Sequence, residues 1–240
     1  MSEGGAGHDP VGEAALETIS ELGRFNRWMY ETIKPHCTGR MLEVGSGIGN
    51  LSRCFLDDGC DLVLSDLRAP YVRRLQEDFP GRAVVSIDLV HPRFGEAYPQ
   101  QLAAFDTVFA LNVVEHIADD VRALENCRRL VRPGGAVVIL VPAYEWLHNR
   151  LDVHLGHYRR YTRRTLVEAL ERAGLEVTHT QYFNAVATAG WALTGGLLAR
   201  EEIPHVEASL FDRLVPVWRL LDRAVGERFG LSVIAVGRAR

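Results

Sequence analysis

Three glycines and three carboxylates carry the chemistry that can be read from these 240 residues. Gly45, Gly47 and Gly49 stand on alternate positions directly after the apolar run 41–44, which itself contains Glu43. Asp66 and Asp88 each close a later apolar run. Glycine has no Cβ, so the chain can take unusual φ values and approach a ligand closely there. The residues from 51 read as a helix, whose first turn offers free N–H donors. Strand, glycine turn and helix together suit a nucleotide-like ligand. Ligands of open parallel sheets lie outside the carboxyl ends of the strands, so the three acids share one crevice. An acid ending the second strand suits a ribose diol, and one ending the third suits an exocyclic amine. Three carboxylates repel a pyrophosphate and fit a ligand with ribose, adenine and a cationic end.

Other nucleotides fit less well. The dinucleotide fingerprint needs its third glycine one place later, where Asn50 stands. A G-x-x-x-x-G-K-[ST] phosphate loop is also missing.

The elements that must position these residues follow an alternating rhythm. Strands are expected at 40–44, 61–65, 83–87, 105–111, 136–141, 175–183 and 231–236. Helices are expected at 11–34, 51–58, 70–79, 118–130 and 162–173, the last with Thr162 as its N-cap. Short runs rich in Val, Leu and Ile suit strands buried on both faces. Their alternation with helices predicts βαβ units. The expected fold is an α/β, Rossmann-like, doubly wound sheet of seven strands with an antiparallel last strand. Residues 1–39 form a tail and a lid helix. Residues 40–240 form the main domain, with an insertion at 184–230. Within it, Leu210, Leu214, Trp218, Leu221 and Val225 fall on one helical face, and Pro216 kinks or starts that helix.

With 47% hydrophobic and 24% charged residues and a net charge of -4, the chain resembles an ordinary globular protein with no general pull toward nucleic acid. Cys37, Cys54, Cys60 and Cys127 make no C-x-x-C pair, which argues against zinc and for a reducing, cytoplasmic setting. The first ten residues lack the basic and apolar regions of a signal peptide. No run reaches the roughly 18 apolar residues of a membrane span.

In order, Leu42-Glu43-Val44-Gly45-Ser46-Gly47-Ile48-Gly49, Leu64-Ser65-Asp66, Ser86-Ile87-Asp88-Leu89, the segment 105–117 and Leu130-Val131-Arg132-Pro133-Gly134-Gly135 resemble the motifs of class I S-adenosylmethionine-dependent methyltransferases. The resemblance covers residues 40–177 and implies S-adenosylmethionine as cofactor. It implies that Gly45, Ser46, Gly47 and Gly49 pass beneath the methionine and ribose. Glu43 would organise the loop or meet the amino group. Asp66 and Leu67 would lie at the ribose, and Asp88 and Leu89 at the adenine. Asn112 and Val113 would form the floor below the sulfonium. His116 would sit under the cofactor or cap the next helix. Helix 11–34 would act as a lid through Trp28 and Tyr30, with packing on the sheet as the alternative. A Glu-x-x-Glu-His metal motif is incomplete because Asn112 stands first, so no metal is expected.

The acceptor is sought in residues 148–164, which follow the fifth strand. Arg150, Arg159, Arg160, Arg163 and Arg164 outnumber Asp152 there by four charges, and Arg163 and Arg164 oppose a helix dipole. An anionic acceptor held by Arg159 and Arg160, beside Tyr144 and Tyr161, explains that excess; a solvated basic loop is the alternative. His157, and after it His154, are the candidate bases, because a neutral imidazole accepts protons near pH 7. The phrase 156–162 further resembles methyltransferases of glycolipid, polysaccharide or secondary-metabolite pathways. The acceptor is therefore expected to be a small or lipid-linked molecule, methylated on oxygen before nitrogen or carbon. The alternative is a non-catalytic subunit that only binds the cofactor. The insertion suits a greasy pocket wall or a homodimer contact, with peripheral membrane contact left open.

Overall fold

The computed structural model describes residues 10–192 and 205–240. One sheet of seven strands has the order β3-β2-β1-β4-β5-β7-β6. The strands are β1 Met41–Val44, β2 Leu62–Ser65, β3 Val84–Val85, β4 Phe105–Leu111, β5 Val131–Pro142, β6 Leu175–Phe183 and β7 Ser232–Ala239. β1 pairs in parallel with β2 and β4, and β7 lies antiparallel between β5 and β6. The helices are α1 Pro10–Ser20, α2 Gly23–Ile33, α3 Asn50–Asp57, α4 Ala69–Asp78, α5 Phe94–Ala97, α6 Asp120–Leu130, α7 Arg150–Leu155, α8 Arg163–Arg172, α9 Ala185–Trp191, α10 His205–Arg213 and α11 Val215–Val225.

Strand alternation divides the core. In β5, Val137, Ile139 and Val141 face Leu124 of α6 and Leu166 of α8, whereas Ala136, Val138 and Leu140 face Ile33 of α2 and Phe55 of α3. Burying each such aliphatic side chain contributes about 1.5–3 kcal/mol. The strand order reverses between β1 and β4, and the crevice at their carboxyl ends is the place where this architecture holds ligands.

Local chemistry accounts for the departures from expectation. The helix expected over 11–34 is two, because Glu21 N and Leu22 N turn back to Thr18 O and Ile19 O. The free N–H groups of Arg24 and Phe25 at the start of α2 then donate to Asp212 from the insertion, at 3.3 and 2.8 Å. The third strand shrinks to Val84–Val85, since it lies at the sheet edge and pairs only with β2. The fifth starts early, at Val131, where it pairs with Phe105 across a register shift. Helices α5 and α7 are unforeseen. Thr162 caps α8 as expected, accepting from Thr165 N.

Pro216 begins a new helix rather than continuing one. The single apolar face expected across 210–225 is therefore broken, and Leu210, Leu221 and Val225 are exposed. Of residues 185–199, those after 192 lie outside the described residues. The insertion's acids also turn inward: Asp222 accepts from Asn184 N and Ala185 N at 2.6 Å, capping α9.

Candidate active site

The turn after β1 is built for glycine. Gly45, Gly47 and Gly49 have φ of 74°, 55° and 84°, in the left-handed region that side chains disfavour. A Cβ on Gly45 would lie 2.4 Å from Val113 Cγ2, which shows how closely the turn approaches the end of β4. Ser46 N donates to Ser65 O at 2.8 Å, and Ser65 N donates to Ser46 Oγ at 3.1 Å, tying the turn to β2. Gly47 N and Arg68 N donate to the two Asp66 oxygens at 3.0 and 2.9 Å. Each carboxylate oxygen keeps a second lone pair, so Asp66 can still accept a diol. Burial pushes its carboxyl above the ordinary value, with those backbone donors opposing the rise.

Glu43 is buried and accepts from the Ser52 hydroxyl, which ties β1 to α3. Burial pushes its carboxyl from about 4.5 up to about 7, although Ser52 pulls it back. Between those two pH values the folded chain keeps a proton that the unfolded chain has lost, so stability falls as pH rises. At about 1.4 kcal/mol per unit this amounts to about 3 kcal/mol. Glu43→Gln keeps an acceptor for Ser52 but cannot ionise. Its stability relative to the parent should therefore climb by about that amount from pH 4.5 to 8 in denaturant titrations; parallel pH profiles would refute the assignment.

Asp88 is half-buried and caps its own turn, accepting from Val90 N at 2.9 Å. Leu67 is 61% exposed beside Asp66. Leu89 turns its side chain into the core instead. Asn112, at φ 53°, donates its N–H to Leu140 O and heads the turn that carries Val113 and His116. The cradle fits an adenosine cofactor: three positions admit no Cβ without strain, Asp66 directly follows β2, and Asp88 lies three residues past the shortened β3.

The covering element is α1 rather than α2. Leu16 Cδ1 lies 3.1 Å from where a Gly47 Cβ would stand, and Asn50 Nδ2 donates to Leu16 O at 2.9 Å. Glu17 pairs with Arg74 of α4, and α1 also packs against α7. Trp28 and Tyr30 are instead buried in the core: the Trp28 ring lies tilted against Phe183 with centres 4.5 Å apart, and the Tyr30 hydroxyl donates to Asp58 at 2.5 Å. Neither closes the crevice, because α2 needs both rings to fill the core face it covers. Trp28 borders a separate cavity of about 230 Å³, lined also by Glu31, Gln181, Arg219 and Arg223.

Beyond β5 the chain makes a histidine–aspartate pair. Asn149 caps α7 reciprocally with Asp152, and Gly156 ends the helix at φ 77°. That reversal returns His157 over Asp152, with Nδ1 at 2.7 Å from Oδ1. With Asp152 as a carboxylate, Nδ1 carries the proton of this contact, and Nε2 is the ring nitrogen not engaged by Asp152. Arg160 Nε donates to the same oxygen at 2.8 Å. Burial raises the Asp152 pKa, but the His157 and Arg160 hydrogen bonds outweigh it and hold the carboxyl below the usual range. The His157 ring lies 4.7 Å from that of His116, and Tyr158 N donates to Glu115 O at 2.8 Å, sewing this loop to the end of β4. Glu115 is wholly buried, and burial pushes its carboxyl up to about 8. Glu115, His116 and His157 offer ligand atoms within 4.8 Å of one another. His154 is exposed on α7 and does not join them.

The arginines take other roles than expected. Arg159 pairs with Asp120 at 2.9 Å and donates to Ala118 O. Arg160 is 5% exposed, and its guanidinium lies 4.7 Å from the Trp191 ring centre. Tyr161 is buried and donates to Asp120 at 2.9 Å. Arg163 donates to Glu227 O and lies over Tyr182, while Arg164 pairs with Glu168. These internal partners, which are distant in sequence except for Glu168, engage four of the five arginines, although Arg163 Nε has no hydrogen-bond partner among the described residues. Arg160→Ala should lower unfolding stability by about 3 kcal/mol, since it leaves half of a buried ion pair; an unchanged denaturation midpoint would contradict this. Tyr144 lies two residues beyond Pro142, where β5 ends. At φ 64° it follows β5 and stacks on Tyr182 and Phe229, with ring centres 5.1 and 5.3 Å away.

Sequence reasoning missed Asp152 as a partner and Glu115 as a buried acid. The glycine between Asp152 and His157 was the available signal for the former; nothing local marked the latter.

A doubly wound sheet with a glycine cradle and an acid at the end of β2 defines a nucleoside-cofactor protein. The Methyltransferase domain profile matches residues 17–180. A protein of Mycolicibacterium smegmatis, named a probable S-adenosylmethionine-dependent methyltransferase, is 28% identical over 172 residues, covering 68% of this chain and 65% of that one. The ubiquinone biosynthesis O-methyltransferase of Pseudomonas aeruginosa is 30% identical over 153 residues, covering 58% and 65%. This chain therefore matches just under two thirds of the length of these relatives. A chain from the Haloferax volcanii complex of the Trm112 methyltransferase activator with a protein described as a methyltransferase superposes with a TM-score of 0.64 over 97% and 99%, at 17% identity, a likeness of fold. The chain belongs to the class I S-adenosylmethionine-dependent methyltransferase family.

Proposed function

We propose that this protein transfers the methyl group of S-adenosylmethionine to a hydroxyl group of a small or lipid-linked molecule. The observation that carries the reading is the Asp152–His157 pair, fastened to the end of β4 beside the cofactor cradle. The cofactor supplies a methyl group activated on a sulfonium. Gly45, Gly47 and Gly49 hold its backbone-facing side, Asp66 takes the ribose and Asp88 the adenine. Asn112 and Val113 form the floor, and α1 restricts water. His157 Nε2 removes the acceptor's proton, with Asp152 fixing the imidazole and balancing the charge it gains. Such a base is needed only when the acceptor has a proton to lose, which favours oxygen. The names of the O-methyltransferase relatives support the same atom. The aromatic stack at Tyr144 suits a flat or greasy acceptor.

The catalytic unit runs from 40 to 240, with the insertion 184–230 as an acceptor-side wall and 1–39 supplying the lid. Four unbridged cysteines support a cytoplasmic setting. Among the described residues no helix is long and apolar enough to cross a membrane.

The test is calorimetry with S-adenosylmethionine and with NAD, followed by mass-spectrometric detection of methylated products from phenolic, catecholic and polyprenyl-linked acceptors. Selective binding of S-adenosylmethionine and a methyl ether product are expected. Binding without product from any acceptor class would favour the non-catalytic subunit. Selective NAD binding would overturn the reading.

A further inference from the structure

We propose that Glu115, His116 and His157 form a binding site for one divalent transition-metal ion. Their ligand atoms already lie within 4.8 Å of one another, so a small inward adjustment meets the bond lengths of roughly 2.0–2.2 Å that imidazole and carboxylate adopt. Glu115 gives a second, independent reason. It is 0% exposed, and both its carboxylate oxygens lack a hydrogen-bond partner among the described residues. A buried carboxyl with neither oxygen satisfied is costly, and a cation is one of the few partners that satisfies it.

The surroundings fit the same role. His157 binds Asp152 through Nδ1 at 2.7 Å, which aims Nε2 at the site; metal-bound histidines commonly hold a carboxylate in this way. The Tyr158 N–H to Glu115 O bond fixes the distance between the two contributing segments. The third ligand therefore comes from beyond β5, and the site does not need the acid that Asn112 replaces in the local sequence. Two imidazoles and one carboxylate select zinc, cobalt, iron or manganese rather than magnesium or calcium, which prefer all-oxygen shells. Three protein ligands leave positions open for an acceptor oxygen. A hydroxyl bound there passes its proton to solvent water more readily, so the loaded enzyme would not need His157 as a base. This consequence rests on the methyl-transfer reading above; the binding of the ion does not.

The experiment strips the full-length protein with a chelator and titrates it with Co²⁺ alone. Calorimetry gives the stoichiometry, and visible absorption reports nitrogen ligation. One equivalent should bind with ligand-field bands. His116→Ala and Glu115→Gln, each checked for folding by circular dichroism, should weaken binding more than the roughly 10–100-fold that loss of an outer-shell partner costs, and Asp152→Asn should fall within that range. Failure of the parent protein to bind stoichiometrically, or equal binding by His116→Ala and Glu115→Gln, would overturn the site. S-adenosylmethionine calorimetry on the stripped protein separates the two claims. Lost cofactor binding there counts against the methyltransferase reading, and Co²⁺ binding is scored without it.

Discussion

Gly49→Ala should weaken S-adenosylmethionine binding by about 100-fold and lower the unfolding free energy by about 2–5 kcal/mol. Two effects add. The residue must hold φ 84°, which costs a non-glycine residue about 1–2 kcal/mol. Its Cβ would also stand 2.3 Å from Phe79 Cε2 and 2.7 Å from Cζ. Phe79 is 7% exposed and belongs to the core cluster with Leu75, so the ring has no room to withdraw. The relief available is movement of the turn itself. Gly49 N donates to Ser46 O, and Gly49 is the N-cap of α3, so that movement disturbs both the glycine cradle and the first turn of the helix. Gly59→Ala is the matched control. It has φ 72° with nothing within 4 Å of its Cβ, so it should lose about 1–2 kcal/mol of stability and keep its cofactor affinity. Calorimetry and chemical denaturation of both variants decide the matter. Cofactor affinity retained in Gly49→Ala, or lost equally in both, would show that this turn does not hold the ligand.

His157→Gln is expected to reduce turnover by about 10²–10⁴-fold while leaving the S-adenosylmethionine dissociation constant within a factor of about two. The imidazole meets Asp152 on one side and the His116 ring on the other, and it has no place in the cofactor cradle. Glutamine is close in size and can still reach Asp152, so the loop should stay folded while the proton acceptor is lost. His154→Gln should retain full activity, because His154 lies exposed on α7. Single-turnover assays on any acceptor identified by the screen, alongside calorimetry, provide the measurement. Undiminished turnover in His157→Gln would remove the histidine from the chemistry.

The cofactor side of this protein was legible in its sequence because its determinants are local. A strand buried on both faces writes itself as an apolar run, and β4 was foreseen at both ends. A left-handed turn writes itself as glycine, and Thr162 announced α8 by the cap its side chain could form. Gly45 and Asp66 directly follow β1 and β2, so chain order alone carried them to the same edge of the sheet, whereas β3 ends three residues before Asp88.

The acceptor side was decided by contacts that spacing does not encode. Five arginines in fifteen residues suggested an anion. Folding instead brings Asp120 to Arg159 and Tyr161, Asp152 to Arg160, and the Glu227 carbonyl to Arg163. The acids that balance the arginines of the insertion in sequence are spent on helix ends, Asp212 at α2 and Asp222 at α9. A charged side chain is read locally as a count, but its role depends on which partner or how much water the fold leaves it. For the same reason Glu115 gave no sign of being buried and unsatisfied, and His157 none of its meeting with His116. The sequence alone determined the sheet, the glycine cradle and the class of cofactor. Only tertiary structure placed α1 over that cradle and brought two distant segments together as Asp152, His157, His116 and Glu115.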